Sequence, residues 1–466
     1  MPTISSGISI ALQAVLTHSQ VLEITEHNIA NAGTPGYRRQ SALLTTDTPY
    51  SINGADHRIG AGQMGNGVTI DRIERFNLAF FDGRFRSTSA EAQNWEAQSG
   101  ILTQLESVLA ETSDDGMLPK LDQFWSSWQS LSNDPTNTSL RTIVLDDARS
   151  LASAFHRRTA QITQLRSDQN QAVAGKVEEV NSLASEVARL NENISRVISV
   201  GEQPNDLMDR RDLALDRLAE LTGAVSSEQK NGEVMVSVGG HVLVVGHDTF
   251  KLKTQANAID TSVDDVYWSD NQKLDPPSGE LKGILEVRDH VLVDQLTGLN
   301  TFAAGLINQV NTIHSSGYGV NNATGINFFS GTNASDIAVN STLDAASVAT
   351  SSAANQVGNN NIALQIAGLK TVKGMNAGTA TLNEFYNSQI AGLGVTTKRA
   401  SDNSYQHGLV VKALGDQRES VVGVSLDEEA ANMAKAQKAY QAAARVLTAY
   451  DDLLDLVINR MGRVGL

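Results

Sequence analysis

Residues 425–461 read SLDEEAANMAKAQKAYQAAARVLTAYDDLLDLVINRM. Leu426, Ala430, Met433, Gln437, Tyr440, Ala444, Leu447, Asp451, Leu454, Ile458 and Met461 follow one another at alternating steps of four and three. That spacing keeps one stripe on one face of a helix, the seam pattern of helices packed on helices. A second row, Ala443, Val446, Tyr450, Leu453 and Val457, widens the apolar surface beyond what one partner covers. Ser425 with Glu428 reads as a capping box, and Asp427, Glu428 and Glu429 sit on the positive end of the helix dipole. Arg460 and Arg463 stand near its negative end. Gln437 and Asp451 interrupt the stripe, as single polar residues do where they fix register.

The other end of the chain repeats the pattern with Ile4, Ile8, Ala11, Val15, His18, Leu22, Thr25 and Ile29. Isolated helices are marginal in water, so two such ends either pair with each other or order on assembly. His18 on this stripe is expected to be a packed, hydrogen-bonded contact, with a pH-sensitive one as the alternative. The helix should stop at Asn31 and Gly33, and Thr34-Pro35-Gly36-Tyr37 suits a type II turn, because Pro35 presets φ and Gly36 accepts a positive one.

Between the ends, residues 41–80 are expected to be extended, with Val68-Thr69-Ile70 a strand. Thr88 and Glu91 suggest the start of a helix running through Trp95, Ile101, Leu102, Leu105 and Leu109. Asn133-Asp134-Pro135-Thr136-Asn137 breaks the pattern, which resumes from Ser139 to Val200, clearest at Val173, Val177, Val180, Leu183, Val187, Leu190, Ile194 and Val197. Such a helix spans roughly 90 Å at about 1.5 Å per residue, which predicts a rod. Glu202-Gln203-Pro204-Asn205 ends it, and a shorter helix covers 205–222. Residues 233–238 and 241–245 around Gly239-Gly240 are expected to form a hairpin in a small β insertion. Helix is expected at 280–315, loop at 316–361, and helix again at 382–420 and 426–463. The predicted fold is mainly α: an elongated multi-domain rod with paired terminal helices as a coiled coil, a long-helix bundle and a small outer β domain.

The composition excludes several function classes. The 466 residues carry a formal net charge of −16 and no Lys/Arg cluster stands out, which argues against a nucleic-acid surface. There are no cysteines, so disulfides, thiolate nucleophiles and Cys-ligated zinc are absent. The N-terminus lacks the basic start and apolar core of a cleaved secretory signal, and no stretch approaches the ~20 apolar residues of a membrane span. Gly60-Ala61-Gly62-Gln63-Met64-Gly65 matches a dinucleotide fingerprint as a string, but a strand-like Gly67-Val68-Thr69-Ile70 follows instead of a helix, so a flexible loop is expected. The nine histidines show no metal spacing, and His241 and His247 are read as surface or packing residues. Asp206, Asp209, Arg210, Arg211 and Asp212 are expected to form surface ion pairs worth little each. No acid–base or nucleophile constellation can be assembled, so no enzyme activity and no cofactor are expected.

Asn28-Ile29-Ala30-Asn31-Ala32-Gly33-Thr34-Pro35-Gly36-Tyr37 resembles the N-terminal signature of the flagellar rod, hook and hook-associated proteins. The stretch from Gly423 to Leu447 is similar to the matching C-terminal end of the same family. Tyr37-Arg38-Arg39-Gln40, Gly65-Asn66-Gly67-Val68, Met208-Asp209-Arg210-Arg211-Asp212 and the Leu-Asp-Glu-Glu form point to its hook-associated members. The resemblance implies export through the flagellar type III channel and self-assembly into a tubular zone between hook and filament. It implies as partners the hook protein, a second hook-associated protein and an export chaperone at the C-terminal helix, with no nucleic acid and no membrane insertion. The expected assembly interface comprises Ile4, Ile8, Ala11, Val15, Leu22, Ile29, Leu426, Met433, Tyr440, Ala444, Leu447, Leu454 and Ile458, with Asn28, Asn31, Thr34, Pro35, Gly36 and Tyr37 forming the signature turn.

The expected domains are 1–40 with 423–466 for assembly, 41–223 with 281–422 for the long-helix bundle, and 224–280 for the β domain. Longer relatives carry a second outer β domain where this chain has only residues 316–380. The rival readings are a hook or distal rod subunit, and a cytoplasmic coiled-coil adaptor.

Overall fold

The computed structural model describes residues 4–48, 65–109 and 116–460. The Gly60–Gly65 string falls outside these residues except for Gly65, as do Met461 and Arg463. In chain order come α1 (Ile4–Asn31), the strands β1 (Gln40–Thr46) and β2 (Val68–Arg75), then α2 (Ala79–Leu109), α3 (Met117–Asn133), α4 (Thr138–Ser199) and α5 (Asn205–Thr222). Six strands follow: β3 (Val225–Glu228), β4 (Val234–Val238), β5 (His241–Val245), β6 (Asp248–Thr249), β7 (Leu252–Ala256) and β8 (Asp264–Trp268). The rest is α6 (Glu280–Glu286), a π-helical turn (Val287–Val291), α7 (Leu292–His314), the short strands β9 (Phe329–Ser330) and β10 (Ala338–Val339), α8 (Asn361–Gly368), α9 (Leu382–Val422) and α10 (Leu426–Asp455). Residues 1–89, 180–251 and 409–466 form one compact unit, and residues 90–179 and 252–408 a second.

In the first unit α1 lies along α10, and the antiparallel β1–β2 hairpin packs beside α1. Thr17 of α1 donates from Oγ1 to the Val68 carbonyl at 2.9 Å. The sheet runs β3-β4-β5-β6, all antiparallel. Gly239 and Gly240 both hold positive φ in the β4–β5 turn, the type I′ geometry that matches strand twist. Val234, Val236 and Val238 are buried and alternate with Met235 and Ser237. Asn191, fully buried on α4, acts as a further strand partner: its Nδ2 donates to the carbonyls of Val234 (2.8 Å) and Gly246 (2.9 Å), and its Oδ1 accepts from the Val234 amide.

The second unit holds the β7–β8 hairpin and an aromatic core of Phe124, Trp125, Trp128, Phe328 and Phe329. The Asn133–Asn137 break divides α3 from α4, and Asn137 Oδ1 caps α4 by accepting from the amides of Ser139 and Leu140. The π-helical turn carries a fully buried Arg288, whose guanidinium donates to Asp289, Asn170 and the Asp264 carbonyl.

Three expectations are corrected here. Helix α2 begins at Ala79, so Thr88 and Glu91 lie inside it rather than capping it. Asp82 occupies its first turn, and buried tertiary ion pairs hold that turn helical. The segment expected as a loop at 316–361 is packed: Phe328, Phe329, Ile337, Val348 and Ala349 are buried in it. Side chains supply the hydrogen bonds that secondary structure would otherwise provide, notably Arg141 to Val348 O and Thr350 Oγ1, and Asn311 to both backbone groups of Phe329. Helix α8, which the sequence pattern did not indicate, follows it.

Candidate assembly site

Helix α1 stops where expected. The Thr34 amide donates to Asn31 O, the Tyr37 amide donates to Thr34 O at 3.1 Å, and Gly36 sits at φ +79°, which completes the type II turn. The turn aims Asn28 and Tyr37 at the start of α10. Asn28 is buried and uses its whole hydrogen-bonding capacity. Its Oδ1 accepts from Tyr37 Oη (2.7 Å) and the Gln40 amide (3.0 Å). Its Nδ2 donates to Gln40 O (2.8 Å) and to Glu429 Oε2 (3.0 Å).

Glu429 is 2% exposed, and Arg39 reaches its Oε1 from Nε and Nη2, both at 2.8 Å. The Arg39 amide donates to Val422 O, which fixes the end of α9 at the same point. Ser425 caps α10 by accepting from the Glu428 amide. The returning half of a capping box is replaced, because the Glu428 carboxylate turns to Arg39 Nη1 at 2.9 Å. Burial, then the carboxylates of Asp206, Asp209 and Glu429, push the Tyr37 phenol well above its ordinary range, so it stays a donor.

Next to the turn lies the largest correction to the sequence reading. Asp209, Asp212 and Arg211 do not lie on the surface. Arg211 donates to Asn191 Oδ1 and the Gly232 carbonyl, while Asp209 and Asp212 belong to a buried charge network in which Arg38 pairs with Asp82 (2.8 Å) and Asp212 (3.2 Å). Arg75 pairs with Asp209 and Asp212. Arg86 and Arg418 share Asp216, and Arg418 also reaches Asp82. The Arg38 amide donates to Asp209 Oδ2, which ties the signature turn to α5. Burial pushes the Asp209 carboxyl up to about 6 against the pull of Arg75 and Arg38. Asp212 is also raised by burial, but Arg75, Arg38 and Arg86 outweigh that and hold it below the usual carboxylate range. Asp206 and Arg210 do stand at the surface, beside His27 and Glu186.

Among the expected interface residues, Ala11 is buried, and Ile8, Val15, Leu22, Ile29, Met433, Ala444, Leu447 and Leu454 are half-buried. Leu426, Tyr440 and Ile458 are exposed, Ile458 at 70%. Ile4 lies in α1, but its side chain is outside the described residues. Glu429, Asn432, Ala436 and Ala439 of α10 line a groove with Val21, Ile24 and Thr25 of α1, and Gln437 and Asp451 are solvent-exposed rather than set in the seam. Leu12 and Leu16 of α1, Val446 and Leu453 of α10, and Leu456 and Val457 of the π-helical turn that continues α10 (Leu456–Arg460) are exposed apolar residues. Periodicity alone missed Arg39 and Glu429. The signal available was a charge of each sign inside the two signature stretches.

Among the described residues, no group of three or more His, Asp or Glu could hold a metal ion, and no helix is long and apolar enough to cross a membrane. A family model for the flagellar hook-associated protein FlgK helical domain matches residues 102–329, and one for the flagellar basal body rod FlgEFG protein C-terminal region matches residues 418–461. Flagellar hook-associated protein 1 of Bacillus subtilis (strain 168) is 30% identical over 503 aligned residues, covering 98% of this chain and 99% of that protein. The chain belongs to the flagellar hook-associated protein 1 family. The Escherichia coli (strain K12) member of this family is 23% identical, covering 98% of this chain and 100% of its own length. The structure of the flagellar hook junction protein FlgK from Burkholderia pseudomallei matches with a TM-score of 0.66 at 16% identity, covering 73% of this chain and 100% of that one, which shows a common fold. As a family member the chain is a structural component of the bacterial flagellum, not an enzyme.

Proposed function

We propose that this hook-associated protein is built into the hook–filament junction through its terminal helices, residues 1–40 and 423–466 acting as the assembly domain. The observation that carries this reading is the apolar surface left over after α1 and α10 pair: Leu12, Leu16, Tyr440, Val446, Leu453, Val457 and Ile458 remain exposed on one helix pair. Exposed apolar surface flanking a paired helix in this way marks a protein interaction site. Copies of this chain cover it in a tubular array, with the hook protein on one side and a second hook-associated protein on the other. The chain travels through the flagellar type III channel, and a chaperone covers the C-terminal helix before export.

The test is a cell that expresses only Leu453→Glu with Val457→Glu. Both side chains are about half exposed, so the purified variant should keep its circular dichroism and melting temperature. The cells should lose filaments and release filament protein into the medium. Normal filaments would exclude this face as the subunit contact.

A further inference from the structure

Two contacts mark the opposite ends of the α1–α10 pair. At one end Asn28 and Arg39 hold the buried Glu429. At the other, the Tyr450 ring lies over Gly7 so closely that no β-carbon fits there. Gly7 and Asn28 are 21 residues apart, and so are Glu429 and Tyr450. That is three heptads on both helices, so both contacts belong to one antiparallel register. One heptad in from Glu429, Val21 and Ala436 line a single groove of about 340 Å³. The layer between that and Gly7 falls at Ala14 and Ala443.

We infer that Glu429 and Tyr450 are the positioning residues that set the axial register of α10 on α1. A seam of small side chains cannot do this by itself. Sliding α10 by one heptad puts Ala443 where Ala436 stood beside Val21, which changes the buried area there little. The same slide strips the buried Glu429 of Arg39 and Asn28, and buried polar groups without partners are costly. It also drives the Tyr450 ring against Ala14, where a β-carbon stands in place of the hole at Gly7. A single buried polar contact specifies register in this way at some cost in stability. Register in turn decides which outward-facing residues of the two helices stand side by side. The inference concerns contacts within one chain and stands whether or not the outward rows are the subunit contact.

The chain has no cysteine, so introduced pairs report register without background. Val21→Cys with Ala436→Cys is the in-register pair. Val21→Cys with Ala443→Cys is shifted by seven residues, or roughly 10 Å along the helix, beyond the reach of a disulfide. Under copper-catalysed air oxidation of the purified full chain, only the first pair should cross-link. Adding Glu429→Ala with Tyr450→Ala should shift product to the second pair while the helical circular dichroism is kept, and Glu429→Gln alone should give a smaller shift. If the double substitution still cross-links only in register, the small-residue seam sets the register and the inference fails. Loss of both cross-links would also overturn it, because the two residues would then be needed for pairing itself.

Discussion

The Ala349 amide donates a 2.9 Å hydrogen bond to Nε2 of the buried His314, whose other ring nitrogen, Nδ1, lies 2.8 Å from the Ile326 carbonyl. Those partners allow one tautomer, neutral with the proton on Nδ1. The ring thereby joins two points of the packed 316–361 segment to the end of α7, between Trp128 and Phe328.

Acid should therefore loosen the second unit. Burial pulls the His314 imidazole down to about 4 from an ordinary value near 6.5. The unfolded chain takes up the proton first, so this contribution is complete above pH 6.5 and is lost as pH falls towards 4, up to roughly 3 kcal/mol. Hydrogen-exchange protection factors at residues 326–349, corrected for the intrinsic pH dependence of exchange, should fall between pH 6.5 and 4.5, with a matching change in Trp125 and Trp128 fluorescence. His314→Gln should flatten that pH dependence while lowering stability at pH 7.

Asp209 acts with the opposite sign in the first unit. Its folded value near 6 lies above the ordinary one of 3.8, so its contribution is full at acid pH and is lost as pH rises through 4 to 6. Asp209→Asn should remove that slope. A melting temperature of the first unit with the same pH profile as the wild type would exclude Asp209 as its source.

The ion pairs of the neighbouring residues Arg39 and Arg38 should differ sharply in worth. Glu428 is 64% exposed at its side chain, and Glu428→Ala should cost about 0–1 kcal/mol. Arg38 is buried with Asp82, and Arg38→Ala strands buried carboxylates at a cost of about 3–5 kcal/mol. Urea unfolding of the two variants measures the difference, and equal losses would contradict the burial of the network.

Helices α1 and α10 should open before the rest of the first unit. Their seam is made of small residues, and much of their apolar surface faces solvent. In the free chain, amides of residues 4–31 and 426–455 should exchange faster than those of α5, and limited proteolysis should trim both ends first. Equal protection across the first unit would contradict this.

What the sequence alone determined is local. The helices α1 and α10, the Ser425 cap, the Pro35-Gly36 turn, the Asn133–Asn137 break and the full length of α4 depend on residues within a turn or two of each other, and they stand where the pattern places them. Tertiary structure decided the rest. With two apolar rows on α10, periodicity could not say which one α1 covers; the contact with Asn28 and Arg39 selects the row containing Glu429. The Asp206–Asp212 run has the same spacing whether it faces water or a core. It is partly buried because Arg38, Arg75 and Arg86, scattered along the chain, converge on it. A charge's worth depends on what surrounds it in space, and adjacency in sequence carries no record of that.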